Sequence, residues 1–93
     1  MRYRTREGIV LETICGQHRL IATLEARKHC PIVSALNDSS VFVWKMLDEG
    51  LDDTEMEDRI LQEYPDIDRA AARKALDTFI SSLEKEGYII PEH

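Results

Sequence analysis

Residues 30–50 read CPIVSALNDSSVFVWKMLDEG, and the way this stretch divides decides the fold. It opens as a short strand, stops at Asn37 and resumes as a helix that carries the only Trp of the chain, Trp44. Pro31 has no N–H to give to a ladder, so it suits the first position of a strand or a sheet edge. Asn37 or Asp38 can cap the helix, a side-chain oxygen accepting from the free N–H groups of its first turn. Val41, Val43, Trp44 and Leu47 then recur near helical spacing, and Gly50 supplies the stop.

Upstream, residues 9–24, IVLETICGQHRLIATL, predict a β-hairpin. Its arms are rich in β-branched residues, and Gly16-Gln17 suits a two-residue type II′ turn with Gly first. That register sets Cys15 opposite His18, Thr13 opposite Leu20, Leu11 opposite Ala22 and Ile9 opposite Leu24, all on one largely apolar face. The other face carries Val10, Glu12, Ile14, Arg19, Ile21 and Thr23 and is expected to be partly wet. Residues 25–30 make a polar connection to the third strand, residues 31–36. The segment ahead of the hairpin, with Arg2, Arg4 and Arg6, is expected to fray.

Downstream, Thr54 and Glu57 form a capping-box pattern that predicts the start of a second helix at Thr54. Met56, Ile60, Leu61 and Tyr64 give its apolar stripe, and Pro65 ends it. A third helix, from Asp66 or Asp68 to Glu86, buries Ala72, Leu76, Phe79, Ile80 and Leu83 and stops at Gly87. Tyr88, Ile89 and Ile90 are expected to pack back onto the core. The predicted class is α+β, in the order β-β-β-α-α-α, with one layer of sheet and one of helices.

The chain has 93 residues, enough for one domain spanning 1–93. At this size roughly two thirds of the unfolded surface is buried, which leaves little room for a deep catalytic pocket. With 43% hydrophobic and 32% charged residues the composition is that of a soluble globular domain. No apolar run approaches the ~20 residues a membrane span requires. The basic start, MRYRTREG, lacks the apolar segment of a signal peptide, and a cytoplasmic location is the default expectation. The net charge of −6 is unevenly spread: residues 1–29 hold six Lys/Arg against three Glu, and residues 30–93 hold six against fifteen Asp/Glu. The helical part is therefore acidic, which argues against a helix that grips a phosphate backbone. Cys15, His18, His29 and Cys30 are zinc-type ligands, but neighbours such as His29 and Cys30 point to opposite faces of a strand, so no metal site is expected. There is no glycine-rich phosphate loop and no positional support for a nucleophile with its base, so neither enzyme chemistry nor a cofactor is expected.

The block LNDSSVFVWKMLDEG resembles the signature junction of the PqqD-like family. The matching positions are Leu36, Asn37, Ser39, Ser40, Trp44, Leu47 and Gly50. The likeness continues through the capped second helix (residues 54–61), then Tyr64 and Asp68 in the loop, then Asp77, Phe79, Ile80, Leu83 and Gly87 in the last helix and its stop. A hairpin with a Gly-polar turn precedes them, as it does in that family. The chain departs from the pattern in residues 30–35, which lack the aromatic often found before the Leu-Asn pair.

The resemblance implies a fold similar to the winged helix-turn-helix and a non-catalytic role. Such domains recognise the leader of a ribosomally made precursor peptide and present it to a modifying enzyme, often a radical S-adenosylmethionine (SAM) enzyme in this branch. They take the leader as an added strand in a groove between the third strand and the third helix, the mode in which main-chain bonds supply affinity and pockets supply specificity. The expected binding residues are therefore Pro31, Ile32, Val33, Ser34, Ala35 and Leu36 on the strand. On the third helix two flanks compete. A charged one presents Arg69, Arg73, Asp77 and Glu84 with nearby Lys74. A small-residue one presents Ala71, Ala75, Thr78 and Ser82. Taken by itself PIVSAL also reads as an ordinary edge strand, and Arg69, Arg73 and Lys74 as a solvated helix face. Two other readings stand beside this one: a winged-helix DNA-binding or regulatory domain, and an assembly partner that forms a homodimer through the same edge rather than acting as a monomer. The peptide reading expects no nucleic acid and no membrane.

Overall fold

A glycine next to a cysteine turns the first hairpin. In the computed structural model, which describes residues 1–92, strands β2 (Ile9–Ile14) and β3 (Gln17–Ala22) pair antiparallel about Cys15-Gly16. Both turn residues have positive φ, 53° and 76°, as a type I′ turn demands. The register differs from the expected one by two residues: Thr13 faces His18, Leu11 faces Leu20 and Ile9 faces Ala22. A slip of two leaves the paired side chains on their predicted faces, but Cys15 becomes an exposed turn residue and Leu24, expected on the apolar face, opens a 3-10 helix with 85% exposure. Leu20 and Ala22 are fully buried, while Val10 and Ile14 stay about half exposed on the other side.

The polar connection contains a short 3-10 helix (Leu24–Lys28), and β4 (Val33–Leu36) then pairs antiparallel with β3. The three-stranded sheet has the order β2-β3-β4. Asn37 caps α1 (Asp38–Glu49), its side chain accepting from the Ser40 N–H, and Gly50 closes that helix at φ 88°. Helix α2 (Asp53–Glu63) starts one residue earlier than Thr54 suggested and its cap lies two residues earlier, because Asp52 and Glu55 form the capping box. Glu57 is thereby free for another partner. Helix α3 (Arg69–Glu86) is capped by Asp68 and ends at Gly87.

The three strands and three helices are the expected α+β order, with one addition. The segment expected to fray is strand β1 (Arg2–Thr5), which pairs antiparallel with β5 (Ile89–Glu92) in a second, two-stranded sheet. Tyr3 is held between its arginine neighbours with 9% exposure, and Tyr88 and Ile89 are buried beside it in one core with Leu20, Trp44, Leu47, Met56, Leu76, Ile80 and Leu83. Each such fully buried side chain contributes about 2 kcal/mol of transfer free energy. The core thus sits where the helices meet the inner face of the hairpin and the small sheet. No helix among the described residues is long and apolar enough to cross a membrane. The expected domain of 1–93 extends one residue beyond those described.

Candidate functional site

Among the described residues β4 is the last strand of its sheet, so one of its sides has no strand partner. The ladder determines which groups face that side. The Ala22 N–H donates to the Ile32 carbonyl at 2.8 Å, and the pairs continue as Leu20 with Ser34 and His18 with Leu36. In an antiparallel ladder, bonded and non-bonded pairs alternate. Val33 and Ala35 therefore turn their N–H and C=O groups away from β3, toward the open side. Their side chains lie exposed on the outer face, Val33 at 53%. Pro31 lies before the strand, and its carbonyl accepts from the Tyr88 hydroxyl at 2.7 Å. That bond ties the start of the edge to the end of α3, and burial raises the Tyr88 pKa.

Where β4 ends, an apolar groove begins. Leu36 is followed by the cap Asn37, and Ser39 and Ser40 form one lip of a depression of about 290 Å³. Its walls are Phe42 and Val43 of α1, Ile60 and Tyr64 at the end of α2, Ile67 of the turn, and Ala72, Ala75, Leu76 and Phe79 of α3. Phe42 and Tyr64 meet edge to face, centroids 6.0 Å apart, and Tyr64 is 42% exposed. The depression continues along α3 over Ala71, Lys74, Thr78 and Ser82. The lining of this depression comes from α1, the end of α2, the turn after it and α3, and no β4 side chain belongs to it.

The two flanks of α3 have separate fates. Arg69 donates to Glu57 and to Asp58, the latter at 3.3 Å. Arg73 donates to Asp53 at 2.6 Å and lies 3.1 Å from Asp77 and 3.7 Å from Glu57. The charged flank is thus fastened to α2. The hydrogen bond from the Met1 amine, with the Arg73 guanidinium behind it, holds the Asp53 carboxyl below its usual pKa, although partial burial opposes this. The small-residue flank, Ala71, Ala75, Thr78 and Ser82, is the one that faces the open groove. Lys74, which the sequence groups with the arginines, lies with it, and its carbonyl accepts from the Thr78 hydroxyl at 2.9 Å.

Two of the four zinc-type side chains, His18 and Cys30, have local partners. His18 sits between the Thr13 hydroxyl at 2.8 Å and the Asp38 carboxylate at 2.6 Å, clipping the hairpin to the start of α1. Cys30 donates to the Ala26 carbonyl, and Cys15 is an exposed turn residue. Among the described residues no three His, Cys, Asp or Glu side chains gather as metal ligands. The lining residues that sequence reasoning missed are Ser39, Ser40, Phe42 and Ile67, together with Tyr64 and Phe79, which it assigned to the core. Only Phe42 carried a signal, as an aromatic beside the apolar stripe of α1.

The family model for coenzyme PQQ synthesis protein D (PqqD) matches residues 31–89, which holds β4, all three helices and the groove. No curated protein matches the chain in sequence. Among solved structures, TbiB1 in complex with the TbiA(beta) leader peptide superimposes with a TM-score of 0.79 at 20% identity, covering 97% of this chain and 98% of that one. Lasso peptide synthetase B1 complexed with the leader peptide gives 0.77 at 20% identity, over 96% and 98%. At these identities the likeness establishes the shared fold.

Proposed function

This chain belongs to the PqqD family, and on that premise we propose that it captures the leader segment of a ribosomally made precursor peptide and presents it to a separate modifying enzyme. The observation that carries the reading is the open side of β4. Val33 and Ala35 offer a row of unpaired donors and acceptors that an extended peptide can complete, and the strand runs directly into an apolar groove able to seat a side chain. Main-chain bonds would bind any extended segment, so the groove along Ala71, Ala75, Thr78 and Ser82 supplies the selection. The two solved structures compared above are complexes with leader peptides, which supports the same use of the fold here. Affinity near micromolar, about −8 kcal/mol, suits a carrier that must release its cargo. The partner implied by the family resemblance is a modifying enzyme, often one of the radical SAM class, and in this reading the carrier itself performs no chemistry.

The test is amide-shift mapping with synthetic leader peptides, taken from any short precursor gene found to neighbour this one. The largest changes are expected at residues 33–36 and at Ala71, Ala75, Thr78 and Ser82. The variant Ala35→Pro deletes one outward donor and leaves the bonded pairs with β3 in place, so it is expected to weaken binding about tenfold, the loss of one hydrogen bond and some strand geometry. Shifts confined to the turn near Gly16 would overturn the placement.

A further inference from the structure

Lys74 apart, the groove's walls are uncharged, and exposed carboxylates neighbour its lining residues in the chain. Ser39 follows Asp38, and the turn that brings Tyr64 and Ile67 to the groove carries Asp66, with Glu63 before it and Asp68 after it. Two of these carboxylates serve the fold: Asp38 bonds His18, and Asp68 accepts from the Ala71 N–H at 3.3 Å. The ion pairs of α2 and α3 run through Asp53, Glu55, Glu57, Asp58 and Asp77, and none among the described residues engages Glu63 or Asp66. One cation, Arg59, lies a turn back on α2, and Lys74 stands further along α3. The two arginines that would suit an acidic ligand, Arg69 and Arg73, are turned to α2. Beside these carboxylates lies the half-exposed ring of Tyr64, whose face attracts a cation.

Resting on the peptide-capture reading, we propose that the groove selects segments in which a Lys or Arg stands beside the bulky apolar residue seated between Phe42, Tyr64 and Phe79. Charge complementarity at the mouth favours that cation and repels an acidic neighbour at the same place. The apolar anchor supplies the affinity, and the cation sets the choice among extended segments that the β4 edge would otherwise accept alike.

The experiment is selection of random decamers displayed on phage against the full chain, followed by fluorescence polarisation with the selected decamers as synthetic peptides. Lys or Arg next to a large apolar residue is expected to be enriched. The double variant E63Q/D66N, which keeps side-chain shape, is expected to weaken those decamers about fivefold, the scale of two exposed ion pairs. It should also flatten their salt dependence. Replacing the decamer's cation by Glu should weaken wild-type binding by more than that. Decamers that lose binding in Ala35→Pro yet carry acidic or uncharged neighbours, and ignore E63Q/D66N, would overturn this selectivity and leave strand capture standing. Absence of binding by any decamer, or binding indifferent to Ala35→Pro, would overturn capture and this inference with it.

Discussion

Gly87 shows how one residue is bound by both backbone and space. It ends α3 at φ 91°, and a Cβ there would lie 2.4 Å from the His29 carbonyl oxygen, a fixed backbone atom. Gly50 ends α1 at a similar φ of 88°, but a Cβ there would meet nothing within 4 Å. Gly50→Ala is therefore expected to cost only the left-handed penalty of about 1–2 kcal/mol, and Gly87→Ala distinctly more, since His29 and Cys30 must move as well. Urea unfolding of the two variants side by side checks the difference. The sequence marks both glycines as helix stops, and there their likeness ends. The close approach at Gly87 depends on a loop nearly sixty residues earlier, which no local pattern records. Cys15 makes a related point. A glycine at position 16 fits a turn that begins at Gly16 or one that ends there, and the ladder chose the second, giving Thr13 and His18 a direct hydrogen bond.

The start of α2 distinguishes two capping patterns written two residues apart. Asp52 accepts from the Glu55 N–H at 2.8 Å, and Glu55 returns a bond from the Asp52 N–H at 3.0 Å. Asp52→Ala is expected to lose about 1 kcal/mol, whereas Thr54→Ala should change stability little, as chemical denaturation will show. The alternative box built on Thr54 was plausible in the chain, but Glu57 belongs to Arg69 and Arg73 from another helix. The same tertiary pairing decided which flank of α3 stays open, a choice the sequence left level. The edge strand itself was legible, since Pro31 and the Leu36-Asn37 break bracket it. The groove was not: Tyr64 and Phe79 keep the helical spacing of core residues, and only the packing of three helices leaves them half-covered. The main buried stripes, with Trp44, Leu47, Leu76, Ile80 and Leu83, followed directly from periodicity.

Across the whole molecule, the first and last strands close the fold. That pairing joins residues almost ninety positions apart, so it has no local signature beyond the apolar Tyr3 between two arginines. Tyr3→Ala is expected to destabilise by about 3 kcal/mol, the scale of a truncated core aromatic, and a thermal melt will separate this from a frayed tail, for which the change would be near zero. The small sheet also meets the ion network, since the Met1 amine and Arg73 both reach Asp53. A carboxyl held below its unfolded value of about 3.9 stabilises fully above that pH and loses its contribution as pH falls through the lower, folded value. Stability is therefore expected to drop below about pH 4, and Asp53→Asn should lower the neutral plateau while flattening that acid limb in pH-resolved denaturation. The partnership of Arg2 with Glu92 has one more consequence, for protein engineering. Their α-carbons lie about 5 Å apart, as ladder partners do, so a bridge of a few residues would turn the chain into a ring. Reopening that ring at the exposed Cys15-Gly16 bend would yield a circular permutant whose new ends sit at the hairpin tip, a ready place to tether a second protein.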